Sequence, residues 1–136
     1  MSESRRHEFL ERFKPEGRGV GFAVLGGAFA EGVDLPGGRL IGAFVTTLGL
    51  PQLNPVNLEM QRRIDARFGA GYAYTFLIPG LRKVIQAAGR VIRTPADQGV
   101  VYLIDDRFAD PMVRGLLPAW WAISPGAPAA RSARDH

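Results

Sequence analysis

Apolar residues in this chain fall into short runs separated by glycine and proline, with helical spacing between the runs. Val20 to Leu25, Leu40 to Val45 and Val100 to Ile104 are each five or six residues long. None alternates cleanly, and that pattern suits strands covered on both faces. Between and around them the apolar spacing becomes helical. Ser2 to Lys14 carries Phe9, Leu10 and Phe13 on one face, and Pro15-Glu16-Gly17 ends it. Val56 to Phe68 carries Leu58, Met60 and Ile64, with Arg62, Arg63 and Arg67 as its polar side, and Gly69-Ala70-Gly71 closes it. Tyr72 to Phe76 begins the next element. Pro79 then sits in the first turn of a helix running to Ile92 or Arg93. Pro111 to Trp121 reads as a last helix or helical turn. Ser124 to His136 is rich in Pro, Ala, Gly and charge and is expected to be disordered. Strands alternating with helices predict an α/β fold, a mostly parallel sheet flanked by helices. Three strands make a narrow sheet whose edges need cover.

The helix that starts near Pro79 has two chemically distinct faces. With Gln86 placed at 0° and about 100° per residue, Arg90 falls near 40°, Arg93 near −20° and Arg82 near −40°. Leu81, Val84, Ile85, Ala88, Val91 and Ile92 fall between about 140° and 260°. One face is core, and the other carries three guanidinium groups and an amide. Gly89 and Ala87 flank the polar stripe with little side chain, leaving room for a second surface. A solvated arginine face is the ordinary alternative for such a stripe. Rigidly placed arginines can also neutralise charge on a transferring phosphoryl group.

Upstream, Gly26-Gly27-Ala28-Phe29-Ala30-Glu31-Gly32-Val33-Asp34 follows the first apolar run. Glycine permits close backbone approach, so bare amides can meet phosphate oxygens. Glu31 and Asp34 can orient a water, a ribose hydroxyl or an arginine, and can equally cap a helical turn. Asp105 and Asp106 end the third apolar run, where α/β folds often place chemistry. A loop cap or an arginine partner is the simpler role for them.

Composition narrows the picture. The 136 residues suit one domain. There is no cysteine, which excludes disulfides, cysteine-ligated zinc and an iron–sulfur cluster held by this chain. Seventeen basic against 13 acidic residues give a net charge of +4 and suit a polyanionic partner. All the cations except Lys14 and Lys83 are arginine, the residue of bidentate phosphate contacts. Arginine-rich composition also follows from GC-rich coding. No apolar run approaches the roughly 20 residues of a membrane span. The polar N-terminus is not a secretory signal, so a cytoplasmic protein without membrane contact is expected. His7 and His136 are the only histidines, and neither lies near a plausible nucleophile, which disfavours an independent small enzyme.

Two segments in order carry a resemblance. Gly27-Ala28-Phe29-Ala30-Glu31-Gly32-Val33-Asp34-Leu35-Pro36-Gly37 resembles motif V of the DinG/XPD-like branch of superfamily two DNA helicases, with Glu31, Gly32 and Asp34 matching its Glu-Gly-x-Asp core. Gln86, Gly89, Arg90 and Arg93 match the Gln-x-x-Gly-Arg-x-x-Arg of its motif VI. Gly99 to Phe108 is similar to the strand that follows motif VI, and Leu116 to Trp121 looks like the end of the catalytic core. Leu48-Gly49-Leu50-Pro51 departs from the family's Leu-Pro-Phe run, and no role is carried onto it.

The resemblance implies a partial RecA-like lobe over residues 1–121, with 122–136 as a disordered tail. It implies ATP and Mg²⁺ in the complete helicase, with neither held by this chain alone. The phosphate-binding loop and the Mg²⁺-binding acidic motif belong to a first lobe absent here. Arg90 and Arg93 would contact the γ-phosphate and Gln86 would sense the nucleotide. Glu31, Gly32 and Asp34 would lie on the nucleotide side. Gly27, Ala28 and Phe29 would meet the backbone of single-stranded DNA. The expected partners are single-stranded DNA and the first lobe, with self-association through uncovered sheet edges. A non-catalytic module that binds nucleic acid or phosphate is the alternative.

Overall fold

A computed structural model of the chain describes residues 3–27, 35, 39–92 and 97–124. Helix α1 spans Glu3–Glu11. The rings of Phe9 and Phe13 meet at 5.3 Å beneath Gly21, where a side chain would collide with both. The C-terminal carbonyls of this helical segment find a partner far along the chain. The Arg39 guanidinium donates from Nε to the Phe13 carbonyl at 2.7 Å and from Nη2 to the Leu10 carbonyl at 3.3 Å. A cation at this end also complements the helix dipole.

Strands β1 (Gly42–Val45) and β2 (Val100–Leu103) pair in parallel, with Gly42 opposite Val100, Phe44 opposite Tyr102 and Val45 opposite Leu103. A parallel pair needs a long crossover, and here it holds helix α2 (Pro55–Phe68), a π-helical segment (Ala73–Leu77) and helix α3 (Ile78–Ala88). Asn54 caps α2 by accepting from the Asn57 amide at 2.8 Å, and Pro55 occupies the first turn, where no amide partner is lost. Gly69, at φ 68°, ends α2, and Asp65 holds the exit by accepting from the Gly71 amide at 2.7 Å. After β2 come a 3₁₀ turn (Asp106–Ala109) and the short helix α4 (Pro111–Gly115).

The core gathers Val45, Leu48, Leu77, Leu81, Val84, Phe108, Val113 and Leu117. Helix α3 supplies its centre, and Val84 is completely shielded. Burying a leucine such as Leu81 stabilises the fold by about 1.5–3 kcal/mol. Gly80 lets α3 come in close, because a side chain there would stand 2.6 Å from the Leu48 carbonyl oxygen.

The α/β class and the parallel pairing agree with the sequence pattern, and four details differ. Val20 to Leu25 is not a strand. Val20, Phe22 and Val24 point outward, with Phe22 92% exposed, and only Leu25 reaches the core. Gly19 and Gly21 weaken an extended run here, and the sheet among the described residues has two strands rather than three. The strands are covered on one face only. Val45 faces the core, whereas the Phe44 and Tyr102 rings stack on the other side at 4.9 Å and remain 65% and 52% exposed. Helix α3 ends at Ala88, four residues early. Beyond Gly89 the amides of Arg90 and Val91 bond three residues back, to Ala87 and Ala88, which tightens the end into a turn. The last helix stops at Gly115, with Leu116 and Leu117 in a tight turn before Pro118. The tail expected beyond Ser124 lies outside the described residues.

Candidate nucleotide and nucleic-acid interface

The two faces read from the sequence of α3 are present. Leu81, Val84 and Ala88 are buried, as is Val91 just past the helix, while Arg82 and Gln86 are exposed on the opposite side. Arg90 sits half-buried in the tight turn after Gly89. Tight packing on one face fixes the helix and hence the positions from which its polar groups project.

The chain reverses at Gly26, whose φ of 77° lies in the left-handed region that side chains disfavour. The Gly27 amide donates to the Val24 carbonyl at 2.9 Å and closes the turn. Across this turn lies the stem of Lys83, from α3. A Cβ built on Gly26 would stand 3.0 Å from the Lys83 Cδ and 3.3 Å from its Cε. Gly26 is therefore bare for two reasons, its backbone conformation and the lysine laid over it. The glycine turn and the cationic helix are 57 residues apart in sequence between Gly26 and Lys83, and they are neighbours in space.

Among the residues singled out from the sequence, Gly27, Gln86 and Arg90 are described, and the fold sets Gly27 in the turn beside α3. Ala28, Phe29, Glu31, Gly32, Asp34 and Arg93 lie outside the described residues. Lys83 was not flagged by the sequence pattern. The signal was there: on the same wheel it falls near 60°, beside Arg90.

Asp105 acts as a cap and ion-pair partner. Its Oδ1 accepts from the Arg107 amide at 3.0 Å and from Nε at 2.8 Å, and its Oδ2 accepts from Nη2 at 2.7 Å. The Arg107 guanidinium holds the Asp105 carboxyl below its ordinary range. On α2, hydrogen bonds from Arg62 and then Arg63 bring the exposed Glu59 carboxyl down to about 2. Among the described residues no three His, Cys, Asp or Glu side chains converge on a metal position, and no helix is long and apolar enough to cross a membrane.

Comparison with known proteins agrees with this arrangement. Residues 1–124 match the family described as the helicase C-terminal domain. A protein of Methanocaldococcus jannaschii named as a probable ATP-dependent helicase is 38% identical over 81% of this chain and 18% of its own length. The ATP-dependent DNA helicase DinG of Photobacterium profundum is 32% identical over 79% of this chain and 16% of its own. The XPD helicase subunit of general transcription and DNA repair factor IIH from Arabidopsis thaliana is 34% identical over 76% of this chain and 14% of its own. The chain thus spans less than a fifth of each of these relatives. A small parallel sheet with flanking helices is what a RecA-like lobe requires of this segment. The chain belongs to the helicase C-terminal domain family, in the DinG/XPD group of ATP-dependent helicases.

Proposed function

We propose that this chain is the part of an ATP-dependent DNA helicase that completes a nucleotide site from the opposite side of a cleft. Arg90 and Arg93 act as arginine fingers toward the γ-phosphate, and Gln86 reads the state of the nucleotide. Glu31, Gly32 and Asp34 face the nucleotide, while Gly27, Ala28 and Phe29 present backbone amides and a ring to single-stranded DNA. The phosphate-binding loop and the Mg²⁺ ligands come from a first lobe that this chain does not contain. Fixed guanidinium charge suits this task, because it stabilises charge on a transferring phosphoryl without itself reorganising.

One observation carries the reading. A helix anchored by a buried face presents Gln86 on its exposed side, leads into the turn that carries Arg90, and lays Lys83 against a glycine turn. The residues fit phosphate chemistry on one side of a nucleotide, which supports a site completed by another lobe. Each strand also keeps one edge unpaired among the described residues, and this supports self-association of the isolated chain.

ATP turnover in the presence of single-stranded DNA tests the reading, first for the chain alone and then with a helicase first lobe from the same cell. The expected result is turnover only in the mixture, reduced by about 10³-fold or more in Arg90→Ala or Arg93→Ala. DNA-stimulated turnover by the purified chain alone that disappears in Arg90→Ala would overturn the division of labour. A mixture unaffected by either substitution would overturn the finger assignment. Salt-sensitive DNA binding without turnover in any mixture favours the non-catalytic module instead.

A further inference from the structure

The cationic face of α3 and the glycine turn are joined by one side chain. Lys83 leaves α3 on the same side as Gln86, one turn before the bend that carries Arg90. Its stem then runs beside Gly26, with Cδ and Cε 3.0 and 3.3 Å from where a Cβ on that glycine would stand. The ammonium lies one bond beyond Cε and so stands within reach of the Gly26–Gly27 turn. The side chain is half-buried, and it makes no hydrogen bond or ion pair among the described residues. Holding a long stem in one course costs rotamer entropy. A charge brought this way to a backbone turn, with no carboxylate partner among the described residues, is set up to meet an anion.

We propose that Lys83 binds a phosphate oxygen at the seam between the glycine turn and the arginine helix. This rests on the functional reading above, in which those two elements share one phosphate-bearing ligand. The ligand chemistry is a phosphodiester or polyphosphate oxygen, held by a point charge from Lys83 and by the face that carries Gln86 and Arg90. The contact also couples the two elements, because a phosphate drawn to the ammonium fixes the stem that lies on Gly26. The lysine is compact and flexible where the arginines are planar and forked, so it can follow a phosphate that shifts during a cycle.

The chain has only two lysines, Lys14 and Lys83, and this supplies an internal control. Reductive ¹³C-methylation keeps the charge of both and gives two lysine signals by NMR. Titration with oligo(dT), or with Mg²⁺·ATP in the presence of a helicase first lobe, is expected to move the Lys83 signal and leave that of Lys14 in place. The probe that moves it names the source of the phosphate, nucleic-acid backbone or nucleotide.

Anisotropy of labelled oligo(dT) as a function of salt then tests the charge itself. Lys83→Met keeps the stem over Gly26 and removes only the ammonium. For a backbone contact it should weaken binding about 5-fold at 0.1 M salt and lower the salt slope by about 0.7. For a nucleotide contact it should instead weaken competition by Mg²⁺·ATP while the slope stays unchanged. Thermal unfolding of Lys83→Met is expected to match the parent, which a purely structural lysine would not allow. If Lys83→Met does not fold, the NMR titration of the unsubstituted chain decides. Binding that falls in Arg90→Ala but not in Lys83→Met, with a stationary Lys83 signal, overturns the proposal and leaves the functional reading standing. Binding indifferent to both substitutions overturns both.

Discussion

Asp105 takes the role of cap and arginine partner that its place in the sequence favours. A carboxylate at the end of a strand in an α/β fold is a natural suspect, yet both its oxygens are taken by Arg107. Its folded-state pKa is depressed, so the stability it contributes is complete above the ordinary value of 3.8 and is lost as pH falls through the lower folded value. Asp105→Asn should therefore unfold more easily at neutral pH, by up to about 1 kcal/mol because Arg107 is half exposed, with little difference from the parent in strong acid. Urea titrations across the acid range measure this, and parallel curves at every pH would refute it. Gly26 teaches the reverse lesson. A glycine pair after an apolar run says only that a turn is allowed, whereas the lysine that needs the bareness lies 57 residues away. Local pattern cannot register a requirement set by so distant a side chain.

At the scale of elements, legibility tracked how much of each segment's stability is local. Helix α2 is readable almost to the residue from its apolar spacing and its Gly69 stop, and the structure adds Asn54 and Pro55 as start signals that act within one turn. Helix α3 was readable by face, with Leu81, Val84 and Ala88 inside as the wheel requires, and was overextended at its end because Gly89 tightens a turn that the wheel treats as continuous. Val20 to Leu25 was read as a strand on apolar character, yet a strand exists only through a neighbour to share its hydrogen bonds. The π-helical segment gave no such sign. It buries Thr75, whose hydroxyl finds no partner among the described residues. The wide turn offsets the carbonyl that a helical threonine ordinarily uses. Thr75→Val is expected to raise stability by about 1 kcal/mol, since it removes an unsatisfied hydroxyl at nearly constant shape. A lower denaturation midpoint for that variant would mean that the hydroxyl is in fact satisfied.

For the molecule as a whole, the sheet is its least finished part. Its outer face carries Phe44, Tyr102 and Val100 in the open, and its two strands end in unpaired edges among the described residues. Exposed aromatic surface and open edges both favour association. Light scattering on the isolated chain should show a mass that rises with concentration, and a monodisperse monomer at high concentration would count against it. The candidate site was legible as chemistry and only in part as geometry. Gln86, Arg90 and the glycine turn were named from residue type and spacing alone. The approach of α3 to that turn through Lys83 was not, because it depends on how the crossover returns α3 to the chain before β1.

Arg39 has a wider consequence. Its two bonds go to the carbonyls of Leu10 and Phe13, so the clasp reads backbone and is indifferent to which side chains those positions carry. It closes a ring of chain that includes the whole glycine loop. In a ring closed at one point, length is cheap: doubling the closed segment costs only about 0.6 kcal/mol. The loop can thus gain residues, lose them or change composition while its two ends remain registered to the same helix and the same strand. The frame that holds the two ends is thereby decoupled from the length of the segment between them.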